Sequence, residues 1–153
     1  MSEDDNLIVV KEAYSAYRDR DIPALLNCLA DDVKWFSMGP PEIIRSAGTR
    51  YGRAQIQHHL TSLESMGEVE RLEPREFIAE GDKVVAIGDS QRHIKSTGSI
   101  ITSPWIHVFT LSGGKITEVR SFYDTAAAIA ALESTQARPA STIRSEPVRP
   151  GIF

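Results

Sequence analysis

The 153-residue sequence lacks several features that would identify whole classes of protein. It has one cysteine, Cys28, which excludes an internal disulfide and a cysteine-based zinc site. It has no apolar run near the roughly 20 residues that cross a bilayer, so we predict no membrane partner. Its acidic start over residues 2–5 differs from the basic start of a signal peptide, and we therefore expect a cytoplasmic protein.

An excess of basic charge is also missing. Lys and Arg number 17 against 21 Asp and Glu, the formal net charge is -4, and no basic stripe occurs, so we predict no nucleic-acid partner. His58 and His59 are adjacent in a predicted helix and therefore face different directions. With no HxxxH pair and no carboxylate triad, we predict neither a metal nor a cofactor.

Three amphipathic helices are predicted in the first half of the chain. Apolar and aromatic residues recur at helical spacing from Leu7 to Tyr17, and Asp21 is a typical N-cap for a second helix ending near Asp31 and Asp32. Residues 53–66 carry the third apolar stripe, which Gly67 would end. We expect a strand over 33–38 and a loop over 42–52.

Long strands joined by tight turns fill the second half. The pattern predicts strands over 69–78, 83–94, 99–111 and 115–123, followed by a short alanine-rich helix. Helices followed by a meander indicate an α+β fold with a curved sheet wrapped around the helices. We predict one domain over residues 1–133. The composition then changes, and residues 134–153 are predicted to be a proline-containing tail.

Strand alternation predicts which side chains share a face. Turns centred at Lys95–Ser99 and Ser112–Gly114 pair Asp89 with His107, Gln91 with Trp105, His107 with Val119 and Trp105 with Ser121. One face then carries Asp89, Gln91, His93, Ser103, Trp105, His107, Val119, Ser121 and Tyr123. The other face carries Ile94, Ile106, Val108, Ile116, Arg120 and Phe122.

Four blocks of the sequence resemble one known family. They read YSAYRDRDIPALLNCLADDVKWF, GTRYGRAQIQHHL, EFIAEGDKVV and PWIHVFTLSGGKITEVRSFYDTAA. They are similar to the SnoaL-like polyketide cyclase and ketosteroid isomerase-like group, within the cone-shaped superfamily named for nuclear transport factor 2, over about residues 7 to 133. The resemblance implies a mixed or antiparallel sheet, a small-molecule cavity lined by the first residue set, and a homodimer paired through the sheet.

His107 is the first candidate for catalysis, because an imidazole gives or takes a proton near neutral pH. The predicted register supplies Asp89 as its carboxylate partner. The resemblance implies an aspartate on the last strand in the cyclases, where this chain has Ser121. The alternative is that His107 is a hydrogen-bonded residue of the pocket wall. The predicted substrate-binding residues are Tyr14, Tyr17, Trp35, Met38, Gln91, Trp105, Val119 and Ser121.

Two functions follow from these expectations. The first is cofactor-independent proton transfer on a hydrophobic carbonyl compound, as in an isomerase or an aldol-type cyclase. In that case a hydroxyl of Tyr14 or Tyr17 would help to hold the enolate, and Trp35 and Trp105 would stack on the ligand. The second is a non-catalytic ligand-binding domain that uses the same cavity, which Ser121 in place of the cyclase aspartate favours. The alternative for the two tryptophans is that they fill core.

Overall fold

The computed structural model describes residues 2–65 and 69–137. Its elements, in chain order, are α1 (Glu3–Arg18), α2 (Ile22–Asn27), β1 (Leu29–Ser37), β2 (Gly48–Tyr51), α3 (Gly52–Ser65), β3 (Val69–Glu80), β4 (Lys83–Ile94), β5 (Ser99–Ser112), β6 (Lys115–Tyr123) and α4 (Thr125–Ala137). The predicted α+β fold, with N-terminal helices against a curved and unclosed six-stranded sheet, is confirmed. None of the helices in the described ranges has both the length and the apolar character to cross a bilayer.

The sheet has the strand order β2-β1-β6-β5-β4-β3. Neighbouring strands are antiparallel except β1 and β6, which run parallel and bring Trp35 opposite Val119 and Ser37 opposite Ser121. The concave face packs on the helices, and the buried cluster between them includes Val10, Leu29, Val84, Trp105, Phe109 and Ile116.

Hydrogen bonds fix the N-terminus of the first helix. Ser2 and Asp5 form a capping box, in which the Ser2 hydroxyl accepts from the Asp5 N–H and the Asp5 carboxylate accepts from the Ser2 N–H. The Gly81 N–H in the β3–β4 turn donates to the Glu3 carboxylate at 2.7 Å. These contacts fix where α1 crosses the sheet and therefore where Tyr14 lies.

Several predicted boundaries change. The second helix ends at Asn27 instead of near Asp31, because Leu29 is fully buried and already pairs with Ile116 of β6. Residues 48–51 form a short edge strand within the predicted loop. The last helix continues past residue 133 to Ala137. The predicted helix stop at Gly67 and the rest of the predicted tail, residues 138–153, lie outside the described residues.

The predicted register between β4 and β5 is wrong. Asp89 pairs with Pro104 and His107 pairs with Ala86. The connecting loop has four residues, 95–98, and the Ile94 carbonyl accepts from the N–H groups of Thr97 and Gly98 at 3.2 and 2.8 Å. The pairing is shifted by three residues, from His107 to Pro104, and a shift by an odd number moves every side chain of the strand to the other face.

The predicted register between β5 and β6 is also wrong, but with a smaller consequence. His107 lies opposite Ser121, and Trp105 lies opposite Tyr123. The hairpin pairs Ser112 with Lys115, one residue away from the predicted pairing, and an extra residue of β6, Thr117, adds one more. The total difference of two residues leaves the faces of Val119, Ser121 and Tyr123 as predicted.

Candidate functional site

A hollow of about 130 Å³ lies between the concave face of the sheet and the helices. Its aromatic wall includes Tyr14, Tyr17, Trp35, Trp105, His107 and Phe109, and its polar lining includes Ser37, Ser46, His59, Ser90, Arg92 and Ser121. An engineered protein cavity of roughly 150 Å³ takes up a benzene molecule. The hollow is therefore the size of one flat ring.

Tyr14 and His107 form the central polar contact of this hollow. The Tyr14 hydroxyl lies 2.6 Å from Nδ1 of His107, joining α1 to β5. The two residues are 93 positions apart in the sequence, and packing of α1 on the sheet brings them together. The contact holds the imidazole next to the phenol through Nδ1, so only the other ring nitrogen, Nε2, remains for a further hydrogen bond.

The direction of this hydrogen bond follows from the strength of the two groups, since either direction leaves one donor without a partner among the described residues. A phenol O–H is a stronger donor than an imidazole N–H, and an imidazole nitrogen is a stronger acceptor than a phenol oxygen. The phenol therefore donates to Nδ1, which makes His107 the neutral tautomer with its hydrogen on Nε2. That N–H has no protein partner in the described part of the chain, so it is the donor available to a ligand.

Burial strengthens this assignment. The surrounding protein disfavours charge, which lowers the pKa of His107 to about 3 and raises the pKa of the Tyr14 phenol above its ordinary value. His107 as a residue is half-buried, and it lines the hollow. Both groups are thus neutral near pH 7, and the pair acts as a hydrogen-bond donor with weak basicity.

Aromatic rings hold the imidazole from several sides. Trp105, His107 and Phe109 follow each other on one face of β5 at the period of two of a strand. The Trp105 and His107 rings are stacked with centroids 4.1 Å apart, while Phe109 meets His107 edge to face at 6.1 Å. Tyr14 lies parallel to His107, with an interplanar angle of 6°.

Gly88 makes room for this stack. It lies opposite Trp105 on β4, and a Cβ atom there would lie 2.6 Å from Trp105 Cζ2 and would also collide with the Glu73 carbonyl oxygen. The indole Nε1–H of Trp105 is buried and has no hydrogen-bond partner among the described residues. A ligand oxygen that reached it would remove the cost of that unpaired donor.

The other end of the hollow is basic and polar. Arg92 Nη1 donates to the buried Ser46 hydroxyl at 3.4 Å. His59 lies nearby, and its pKa falls to about 4, chiefly because it is buried and further because the guanidinium groups of Arg50 and Arg92 are close. The hollow thus combines an aromatic end with a basic end.

Most of the predicted site residues line the hollow, and three do not. Tyr14, Tyr17, Trp35, Trp105, His107, Val119 and Ser121 line it. Asp89 lies on the convex face of the sheet, where the Arg75 guanidinium donates to both of its carboxylate oxygens at 3.2 and 3.3 Å. Gln91 is exposed on the same face, and Met38 is exposed beside the sheet.

The predicted pairing of Asp89 with His107 is therefore wrong, because the four-residue loop after β4 reverses the faces of that strand. His93 is turned outward and Ile94 inward for the same reason. Ile116, predicted on the outer face, is fully buried and lines the hollow, since the extra residue Thr117 follows it in β6 and puts Ile116 and Val119 on the same face.

Sequence reasoning missed Arg92, His59 and Ser46 as lining residues. The signal for Arg92 was the alternation Val84, Ala86, Gly88, Ser90 along β4, whose small and apolar side chains are typical of a packed face. His59 lies on α3 and Ser46 lies in the segment before β2, and neither position has a periodic pattern. No group of three or more His, Cys, Asp or Glu residues that could hold a metal occurs within residues 2–65 and 69–137.

Comparison with known proteins gives the family. A family model described as a SnoaL-like domain matches residues 10–119. The chain belongs to the SnoaL-like family. No curated protein matches the sequence.

Three solved structures similar to this SnoaL-like chain agree in fold. TerC, co-crystallised with polyporic acid, is 31% identical with a TM-score of 0.76 over 84% of this chain and 98% of its own. A nuclear transport factor 2-like protein from Burkholderia xenovorans is 30% identical with a TM-score of 0.76 over 86% and 98%. One of unknown function from Burkholderia pseudomallei is 28% identical with a TM-score of 0.77 over the same shares.

Proposed function

We propose that this SnoaL-like protein binds a small hydrophobic carbonyl compound and catalyses cofactor-independent proton transfer on it, as an isomerase or an aldol-type cyclase. The observation that carries the proposal is the hydrogen bond from Tyr14 to His107 inside an aromatic-walled hollow. The co-crystal of TerC with polyporic acid supports a small-molecule ligand for this fold.

His107 acts as the electrophile in this scheme. Its Nε2–H donates to the substrate carbonyl oxygen and stabilises the negative charge that develops there as the neighbouring C–H loses its proton. A neutral donor held in a water-poor site is effective because it needs no reorganisation during the reaction. One such donor is worth roughly 100-fold to 1,000-fold in rate.

The proton of the C–H group next to the substrate carbonyl is transferred to water at the mouth of the hollow. The described residues that line the hollow include no Asp or Glu, and His107 is a weak base because its pKa is about 3. The substrate carbon must therefore already be acidic, as it is between two carbonyl groups. Isomerisation returns the proton to another carbon of the enolate, whereas cyclisation adds the enolate carbon to a second carbonyl of the same molecule.

Tyr14 is a positioning residue in this scheme. By donating to Nδ1 it selects the tautomer that carries a hydrogen on Nε2. It also stacks near Trp105 and so shapes the slot for the ring of the ligand.

A non-catalytic receptacle is the second candidate. The outward position of Asp89 and the lack of a carboxylate among the described lining residues favour it. In that case His107 and Trp105 would fix the orientation of a bound carbonyl compound without turning it over.

Exchange of a carbon-bound proton separates the two candidates. 1-Phenyl-1,3-butanedione would be incubated with the protein in deuterated buffer, with exchange followed by NMR and binding followed by thermal shift. Catalysis predicts exchange that is faster than buffer alone and falls to the buffer rate in His107→Ala, while Gln91→Ala on the convex face matches the parent protein. Binding without accelerated exchange would support the receptacle.

We also propose that two copies pair through the convex face of the sheet. Ile78, Ile100 and Ile106 all lie on that face and are 53%, 61% and 42% exposed. Exposed isoleucines on one face are typical of an interface. Sedimentation should give a dimer for the parent protein and a monomer for Ile106→Lys, and a monomeric parent would refute the pairing.

A further inference from the structure

Three polar side chains lie side by side on the sheet where it forms the floor of the hollow. Ser37 of β1 is the partner of Ser121 on β6, and Ser121 is the partner of His107 on β5. All three residues line the hollow. Ser37, Ser121 and His107 therefore form a polar row that crosses three neighbouring strands.

The polar row lies among apolar and aromatic side chains. Residues two positions away from it on each strand share its face of the sheet. These residues, which also line the hollow, are Trp35 on β1, Val119 and Tyr123 on β6, and Trp105 and Phe109 on β5. Serine is mostly an exposed residue, and burying a hydroxyl without a hydrogen bond costs free energy. Packing alone therefore does not account for two serines in the middle of this surface.

The hydroxyl groups of the two serines in the row differ from those of the other serines that line the hollow. The hydroxyls of Ser46, Ser90 and Ser103 each form a hydrogen bond with another protein group. Within residues 2–65 and 69–137, no group bonds to the hydroxyl of Ser37 or Ser121, and neither oxygen is fully enclosed by protein atoms. Both hydroxyls are therefore available to a ligand in the hollow, as is the Nε2–H of His107.

The length of the polar row matches a single substituted ring. Neighbouring strands are roughly 4.8 Å apart, so the backbones of Ser37 and His107 are about 10 Å apart. A hydrogen bond at each end of the row takes up about 3 Å, which leaves only a few ångströms between the two ligand oxygens. Two oxygen groups attached to one aromatic ring have a separation of this order. Such a ligand also fits a hollow that has the size of one flat ring.

On the basis of the proposed function, in which His107 binds the reacting carbonyl, we propose that the substrate carries a second oxygen about one ring's width away and that Ser37 and Ser121 bind it. A serine hydroxyl both donates and accepts, so this second oxygen belongs to a hydroxyl or a carbonyl group. An apolar group in the same place leaves the serine hydroxyls unpaired and binds more weakly. The two serines thus determine which ring compounds the hollow accepts.

The test compares a hydroxyl with a methyl group in ligands of the same shape. Calorimetric titration would use 3- and 4-hydroxyacetophenone beside 3- and 4-methylacetophenone, which share the aryl ketone and differ in one ring substituent. We expect the parent protein to bind at least one hydroxyl compound about tenfold more tightly than its methyl counterpart. Hydrophobic burial alone favours the methyl compounds, so this preference reports a hydrogen bond.

Serine variants assign the preference to the polar row. Ser37→Ala and Ser121→Ala should each reduce the preference by about threefold or more, and the double variant should abolish it, while affinity for the methyl compounds stays at the parent value. Ser90→Ala should retain the preference, because the Ser90 hydroxyl already donates to the Ser103 carbonyl oxygen. Ser112→Ala, which is exposed at the end of β5, is the control for the substitution itself.

The remaining outcomes are also decisive. Equal affinity of the parent protein for the hydroxyl and methyl compounds overturns the proposal without reference to any variant, and so does a preference that survives in the double variant. If none of the four compounds binds, the proposal is overturned, while proton exchange on 1-phenyl-1,3-butanedione still decides the proposed function. A serine-dependent preference without accelerated exchange supports the second oxygen and refutes catalysis.

Discussion

The ring of His107 lies on the ring of Trp105, with centroids 4.1 Å apart and planes inclined by 21°. The stack leaves the imidazole few orientations, and the hydrogen bond from Tyr14 then selects one of them. Trp105 thus controls the orientation of the imidazole, and Tyr14 controls its tautomer. Substitutions at the two residues can separate these effects.

Tyr14→Phe should keep the aromatic packing and remove only the hydroxyl. We expect proton exchange on a 1,3-diketone to fall by about 10-fold to 100-fold, because His107 no longer prefers the tautomer with hydrogen on Nε2. Stability should fall by about 1 kcal/mol, the net value of one hydrogen bond. NMR measurement of the exchange rate checks the first expectation, and urea unfolding checks the second. Unchanged exchange would show that the phenol does not control the tautomer.

Stability should decrease as the pH falls below about 6.5. The pKa values of His107 and His59 are lowered in the folded state from 6.5 to about 3 and about 4, so between those values and 6.5 the unfolded chain binds more protons. The free energy of unfolding is then unaffected by these groups above the ordinary pKa and declines on acidification. Urea unfolding between pH 7 and pH 4 should show a smaller decline in His107→Gln and in His59→Gln. An equal decline in both variants and the parent would contradict the assigned burial.

Gly88→Ala should disturb the site from the opposite strand. The added methyl group meets both Trp105 and the backbone of Glu73, so the indole must move away from its stack with His107. Overpacking of this kind costs about 1–3 kcal/mol. Near-ultraviolet circular dichroism should report the altered tryptophan, and thermal unfolding the lost stability. Gln91→Ala, also on β4 but outward, is the control and should leave both signals unchanged.

Asp89→Asn should leave proton exchange and ligand affinity at the parent values. Its carboxylate is on the convex face with Arg75, and the sheet separates it from the hollow. A large loss of exchange in this variant, with the fold intact by circular dichroism, would contradict the observed register. His107→Asn measured in parallel confirms that the assay detects a loss in the hollow.

Much of the fold could be predicted because apolar residues repeat at clear periods. The stripe of α1 and the strands from residue 83 to 123 have such patterns, and the structure has these elements close to the predicted bounds. The edge strand Gly48–Tyr51 was missed because it has four residues and pairs only with β1.

The candidate site could be predicted only in part. His107 and Trp105 were assigned to the inner face correctly, since the shift between β5 and β6 is even. Asp89 was assigned to the wrong face because one residue more or less in the loop after Ile94 reverses a whole strand. Loop length depends on local hydrogen bonds to the Ile94 carbonyl, and the sequence around Gly98 allows turns of more than one length.

The parallel pairing of β1 with β6 also affects the order in which this chain can fold. Leu29 emerges from the ribosome long before its neighbour Ile116, so β1 has its inner partner only when almost the whole sheet has been synthesised. Contacts this distant in sequence form slowly, since a long loop must close before they contribute. The hairpins of β3, β4 and β5 can form first. The hollow, which is lined by both Trp35 and Val119, should therefore be completed late in folding.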